Sequence, residues 1–193
     1  MIFFITRSGD ETRSNPTVTN SDSQQNSNNS PVSYNRRHED LPADCKSTDT
    51  PKFTHDITDL SKIVRIIPPV SMNERNELKP HSYLHLKEGE EKVPVFAPID
   101  GVLAWGTYVV QQDKQGKFDK NIGTEYALFI EIDCNHYIFL DHISNPVEKI
   151  RAVLPKEPSE SSATQNASSP IALKAGEKIA ETTGTFGGIW DFG

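Results

Sequence analysis

"EYALFIEIDCNHYIFLDHI", residues 125–143, consists of two apolar runs of strand length joined at Cys134-Asn135. In the second run Tyr137, Phe139 and Asp141 alternate with Ile138, Leu140 and His142. A period of two is the signature of a strand with one face buried. It predicts that His142 shares the inward face of Ile138 and Leu140.

The same kind of run recurs on both sides. "HSYLHL" (81–86), "VPVFAPI" (93–99), "GVLAWGTYVVQQ" (101–112), "VEKIRAVL" (147–154), "EKIAETTG" (177–184) and "GIWDFG" (188–193) all read as strands. Asp100-Gly101, "QGKFDKNIGT" and Asn145-Pro146 are the turn signals between them. Many short strands with no helical stretch between them predict an all-β sandwich or barrel. "VPVFAPIDGVLAWG" and "IALKAGEKIAETTG" each place a turn between two short strands, which suggests internal symmetry.

Further out the chain changes character. Residues 155–170, "PKEPSESSATQNASSP", read as a disordered low-complexity surface loop. Residues 53–77 form a short lead-in, with a helical turn at "DLSKIV" and Ile66-Ile67 extended before Pro68-Pro69. Residues 1–52 are rich in Ser, Asn, Thr, Asp and Gln. Such a segment buries too little apolar surface to offset its conformational entropy, so a disordered polar tail is expected. "MIFFIT" (1–6) is apolar but shorter than a signal-peptide core of roughly 7–15 residues. It reads as a leader remnant or as part of the tail. The last strand-like run stops abruptly at "IWDFG", so a C-terminal truncation of the 78–193 domain is expected.

The net charge of −7 argues against a nucleic-acid ligand, which needs clustered Lys and Arg. Arg36-Arg37-His38 is the densest basic spot and lies in the polar tail. No stretch approaches the ~20 apolar residues of a transmembrane segment. Two cysteines, Cys45 and Cys134, are too few for a disulfide framework or a Cys-rich zinc site. Cys134 reads most simply as a buried small hydrophobe, with a Cys45–Cys134 disulfide as the open alternative.

The order "VPVFAPIDGVLAWG", "ALFIEIDCNHYIFLDHIS", "LKAGEKIAETTGTFGG", "IWDFG" resembles the lysostaphin-like (LytM-type) zinc endopeptidase family over residues 78–193. That resemblance implies a duplicated hybrid-motif β-sandwich, a fold shared with lipoyl and biotinyl carrier domains. It also implies a location outside the cytoplasm or at the cell envelope, and a cell-wall or peptide ligand. The family's first metal motif, His-x-x-x-Asp, falls on His81 to His85. Its hairpin histidine falls on His142, and its His-x-His-Phe strand falls on Ile189-Trp190-Asp191-Phe192. By this correspondence His81, His85 and Asp191 are the candidate zinc ligands and His142 the candidate catalytic residue. Trp190 and Tyr83 are the candidates to contact substrate.

The departures matter as much. A catalytic zinc needs three protein ligands and an open position. His85 and Asp191 stand where the family has Asp and His, and Ile189 replaces a proton-handling histidine. On an extended strand His81 and His85 lie roughly 13 Å apart at ~3.3 Å per residue, too far to share one ion. His81 is therefore expected near His142 and Asp191, with His85 apart. The reading is a catalytically degenerate lysostaphin-like domain that binds or scaffolds. A divergent zinc hydrolase and a cytoplasmic partner-binding module are the alternatives. His-Glu-x-x-His, Gly-x-Ser-x-Gly and phosphate-cradling loops are missing, and Lys149 and Lys178 lack the setting of a carrier lysine.

Overall fold

A computed structural model describes residues 50–72, 78–89, 91–163, 165–185 and 188–193. The leader reading, Cys45 and the expected tail up to residue 49 lie outside the described residues.

The chain folds as an all-β structure built of antiparallel sheets. The strands are β1 (Ile63–Ile67), β2 (Ser71–Met72), β3 (Leu78–Lys79), β4 (Ser82–Leu86), β5 (Val93–Phe96) and β6 (Gly101–Val110). They continue with β7 (Thr124–Glu131), β8 (Tyr137–Ile143), β9 (Asn145–Pro146), β10 (Gln165–Leu173), β11 (Lys178–Thr182) and β12 (Ile189–Phe192). A seven-stranded sheet runs in the order β1-β4-β12-β8-β7-β6-β10, a three-stranded sheet in the order β5-β11-β9, and β2 pairs with β3.

The two internally similar stretches are interlocked. β5 pairs with β11 in the small sheet, and β6 pairs with β10 in the large one. Each stretch thus crosses from one sheet to the other, and its turn docks on the other's turn. Asp100 accepts from the Ala175 backbone N–H at 2.8 Å and pairs with Lys174 Nζ at 2.7 Å. The Gly176 N–H donates to Ala97 O at 2.8 Å.

Alternation along the strands supplies the core. Leu84, Leu103, Leu128, Ile130, Leu140 and Trp190 come from the large sheet, and Val93, Val95, Ile179 and Ala180 from the small one. All ten are buried in one cluster. Each large aliphatic removed from water contributes about 1.5–3 kcal/mol, so this shared face holds the sheets together. Gly184, at φ +65°, makes the turn before β12, and a Cβ there would stand 2.6 Å from the Gly188 carbonyl carbon and Ile189 N. Only glycine fits that approach.

Three segments differ from their sequence reading. Residues 147–154 are not a strand: Glu148–Arg151 form the helical turn α1, which buries Ile150, while Leu154 is buried just beyond it. The low-complexity loop ends before Gln165, because 165–173 form β10 on the outer edge of the large sheet. Its polar residues suit an edge strand with one side in water. The lead-in belongs to the domain: β1 pairs with β4, and Thr58 bridges Val95 and donates to Pro94 O at 2.6 Å. The 3-10 turn Leu60–Lys62 and extended Ile66-Ile67 stand where the sequence puts them. Cys134 is half-buried and disulfide-bonded rather than a free buried hydrophobe.

Candidate functional site

The face of the large sheet away from the core carries the polar centre. Register places Tyr83 opposite Asp191 and His85 opposite Ile189, with Asp191 also opposite Asp141. Phe129 lies opposite Phe139 on the neighbouring pair. Opposed residues share a face, so one surface collects Tyr83, His85, Asp191, Asp141, Phe139 and Phe129.

His142 reaches this surface through a β-bulge. Tyr126 pairs with Ile143 and Leu128 with Leu140, so Asp141 and His142 together oppose Ala127. His142 takes φ +60°, a left-handed conformation uncommon for a residue with a side chain. A bulge lets two consecutive side chains leave a strand on the same side. That corrects the inward orientation that unbroken alternation predicts for His142. The bulge is held from below by Thr182, whose hydroxyl donates to His142 O and accepts from the Gly184 N–H at 2.9 Å.

A chain of polar contacts results. His81 Nε2 lies 3.1 Å from Asp191 Oδ2, and His142 Nε2 lies 3.8 Å from the same oxygen. His142 Nδ1 is 3.0 Å from Glu125 Oε2, to which Gln111 Nε2 donates at 3.1 Å. The His142 backbone N–H donates to Asp141 Oδ1 at 2.8 Å. Asp191 and Glu125 are buried, and Asp191 Oδ1 has no hydrogen-bond partner among the described residues.

Electrostatics follow from this crowding of carboxylates. Burial opposes a charge on His142, but the Glu125 hydrogen bond and the charges of Asp141, Glu125 and Asp191 outweigh it and raise the imidazole to about 9. Burial holds the Asp141 carboxyl above its ordinary range, against the pull of His142. Burial also raises the Tyr83 phenol, and the Asp191 charge adds to the effect. The arrangement can share a proton within the His81–Asp191 and His142–Glu125 pairs, or concentrate negative charge around a cation.

His85 lies outside this chain. Its Nε2 is 3.4 Å from the Arg65 guanidinium, which the β1–β4 register places beside it. Burial and then Arg65 lower the His85 pKa, with Asp191 partly opposing. Trp190 is not a substrate contact: it is fully buried, because the residue next to outward Asp191 on a regular strand must face the core. Tyr83 is on the open face, its ring 5.2 Å from that of His81. His136 pairs with Asp133 at 2.8 Å in its turn, and His55 packs against Gly176.

The expected zinc set does not assemble. His81 and Asp191 lie 3.1 Å apart, but His85 does not join them, and the permanent cation at its ring opposes a dication there. Among the described residues the three-residue group whose donor atoms lie within 4.8 Å of one another is Glu125, Asp141 and His142, and it could hold a metal ion. Sequence reasoning missed Glu125, Asp141 and Arg65. The available signal was an acidic residue opening an otherwise apolar run at Glu125 and a second beside the histidine at Asp141.

The polar centre opens on a groove of about 1400 Å³ lined in part by Phe53, His81, Phe129, Tyr137, Phe139 and Asp141. Trp105 stacks on Phe129 at 5.5 Å between ring centroids, and Phe129 lies 4.8 Å from Phe139. Comparison with protein-family models, curated proteins and solved structures finds no match to this chain.

Proposed function

We propose that this chain is a lysostaphin-like domain, built on a duplicated hybrid motif, that binds rather than cleaves a cell-wall or peptide ligand at the cell envelope. The observation that carries the reading is Arg65 beside His85. The resemblance makes His85 a metal ligand, yet here a guanidinium takes up its free nitrogen. Ile189, next to it in register, has no proton to give or take where the family has a histidine. The aromatic-lined groove supplies the apolar, partly polar surface that ligand pockets use. The disulfide at Cys134 supports an oxidising compartment, where such bonds persist.

Sedimentation of the purified protein with isolated cell walls tests this. Retention in the wall pellet without release of soluble fragments is the expected outcome. Absence from the pellet would overturn the binding reading and favour a partner-binding module inside the cell. A second reading, a divergent zinc hydrolase acting on peptides or peptidoglycan, draws on one observation: the closeness of the Glu125, Asp141 and His142 donor atoms. It predicts fragment release that a chelator abolishes.

A further inference from the structure

The geometry points to a divalent transition-metal site formed by Glu125, Asp141 and His142, with Asp191 beside it, one strand away from the ligand set that the lysostaphin resemblance implies. It does not depend on the groove binding cell walls.

Three observations converge. The donor atoms of Glu125, Asp141 and His142 lie within 4.8 Å of one another. Ligands at about 2.0–2.2 Å from one tetrahedral zinc ion stand about 3.3–3.6 Å apart, so a pair at the 4.8 Å limit closes by roughly 1.3 Å on binding. Next to them the Asp191 carboxylate, only 4 % exposed, holds Oδ2 3.1 Å from His81 Nε2 and 3.8 Å from His142 Nε2, while its Oδ1 has no hydrogen-bond partner among the described residues. A buried carboxylate oxygen without a partner is costly, and a cation offsets that cost. Finally, a cavity of about 210 Å³ adjoins the three residues and is walled by Thr107, Val109 and Gln112 among others. It leaves room at the ion for water or a small ligand.

The donor set decides the class of ion. Carboxylates alone suit Mg²⁺ and Ca²⁺, whereas an imidazole among them shifts preference toward Zn²⁺, Fe²⁺ or Mn²⁺. The bulge is the device that builds the site, because it brings two consecutive donors, Asp141 and His142, to the same face as Glu125.

The test uses the untagged, chelator-treated full chain titrated with ZnCl₂ by calorimetry, with melting temperature read in parallel. One equivalent should bind and the melting temperature should rise, as for any ligand of the folded state. Glu125→Gln and Asp141→Asn should each weaken binding by about tenfold or more, and His85→Ala should leave it within about twofold. The site is overturned if the wild-type chain binds no Zn²⁺. It is equally overturned if folded Glu125→Gln keeps wild-type affinity, or if His85→Ala abolishes binding. Should both carboxylate variants fail to fold, histidine NMR on the wild-type chain decides. Zn²⁺ must then perturb the His142 ring resonances; perturbation of His85 in their place overturns the proposal.

Discussion

β4 and β8 both bring histidine to the open face of the large sheet, and they do so with opposite results. At β4 alternation spreads His81, just before the strand, and Tyr83 and His85 within it, and the two histidines take different partners, Asp191 and Arg65. On β8 a bulge puts neighbours Asp141 and His142 on one side, facing Glu125 across the pair. A regular strand disperses functional groups at about 7 Å intervals on each face, and one extra residue concentrates them. β12 lies between the two and pairs with both.

That arrangement can be broken from the centre or from either side. Trp190→Ala removes the fully buried anchor of β12, on which both halves depend, and should cost about 3–5 kcal/mol in denaturant unfolding. Thr182→Val acts on the β8 side alone. It leaves His142 O and the Gly184 N–H without their buried partner, so a loss of about 1–3 kcal/mol is expected, with faster hydrogen exchange in the bulge. Arg65→Ala acts on the β4 side alone. Removing that guanidinium should raise the His85 pKa in an NMR titration, with less than about 1 kcal/mol change in stability. Glu148→Ala touches neither side. Its ion pair with Arg151 is exposed, and unfolding should shift by about 0.5 kcal/mol or less. Equal destabilisation by Thr182→Val and Glu148→Ala would mean that the bulge is not held from below.

How much of this was legible in the sequence follows from what alternation can carry. It marked β4 through β8, β11 and β12, and the order of segments drew attention to His81, His142 and Asp191, three residues that the structure connects. It could not reveal the bulge, because one extra residue leaves the hydrophobic pattern of "YIFLDHI" almost intact. Glu125 and the outward turn of His142 were therefore hidden. Residues 147–154 were misread for a different reason. Val147, Ile150 and Leu154 recur at helical spacing, i, i+3 and i+7, which a list of short apolar runs overlooks. β10 escaped because "QNASSP" has the composition of a loop, while its backbone has an edge to pair with. Trp190 was legible after all: with Asp191 outward, its neighbour had to point in.

The position of β12 also sets the order of assembly. It follows β4 and β8 in the chain yet lies between them in the sheet, and the interlocked turns join residues as distant as Asp100 and Lys174. Until β12 inserts, β4 and β8 each present an unpaired edge, the kind of edge that recruits foreign strands. Pairings between such distant segments delay folding, because the loops must close before any contact rewards them. A nascent or partly unfolded chain therefore exposes the two edges that will flank β12 and its Asp191. Aggregation during slow refolding should start there, and a peptide copying β12 should suppress it.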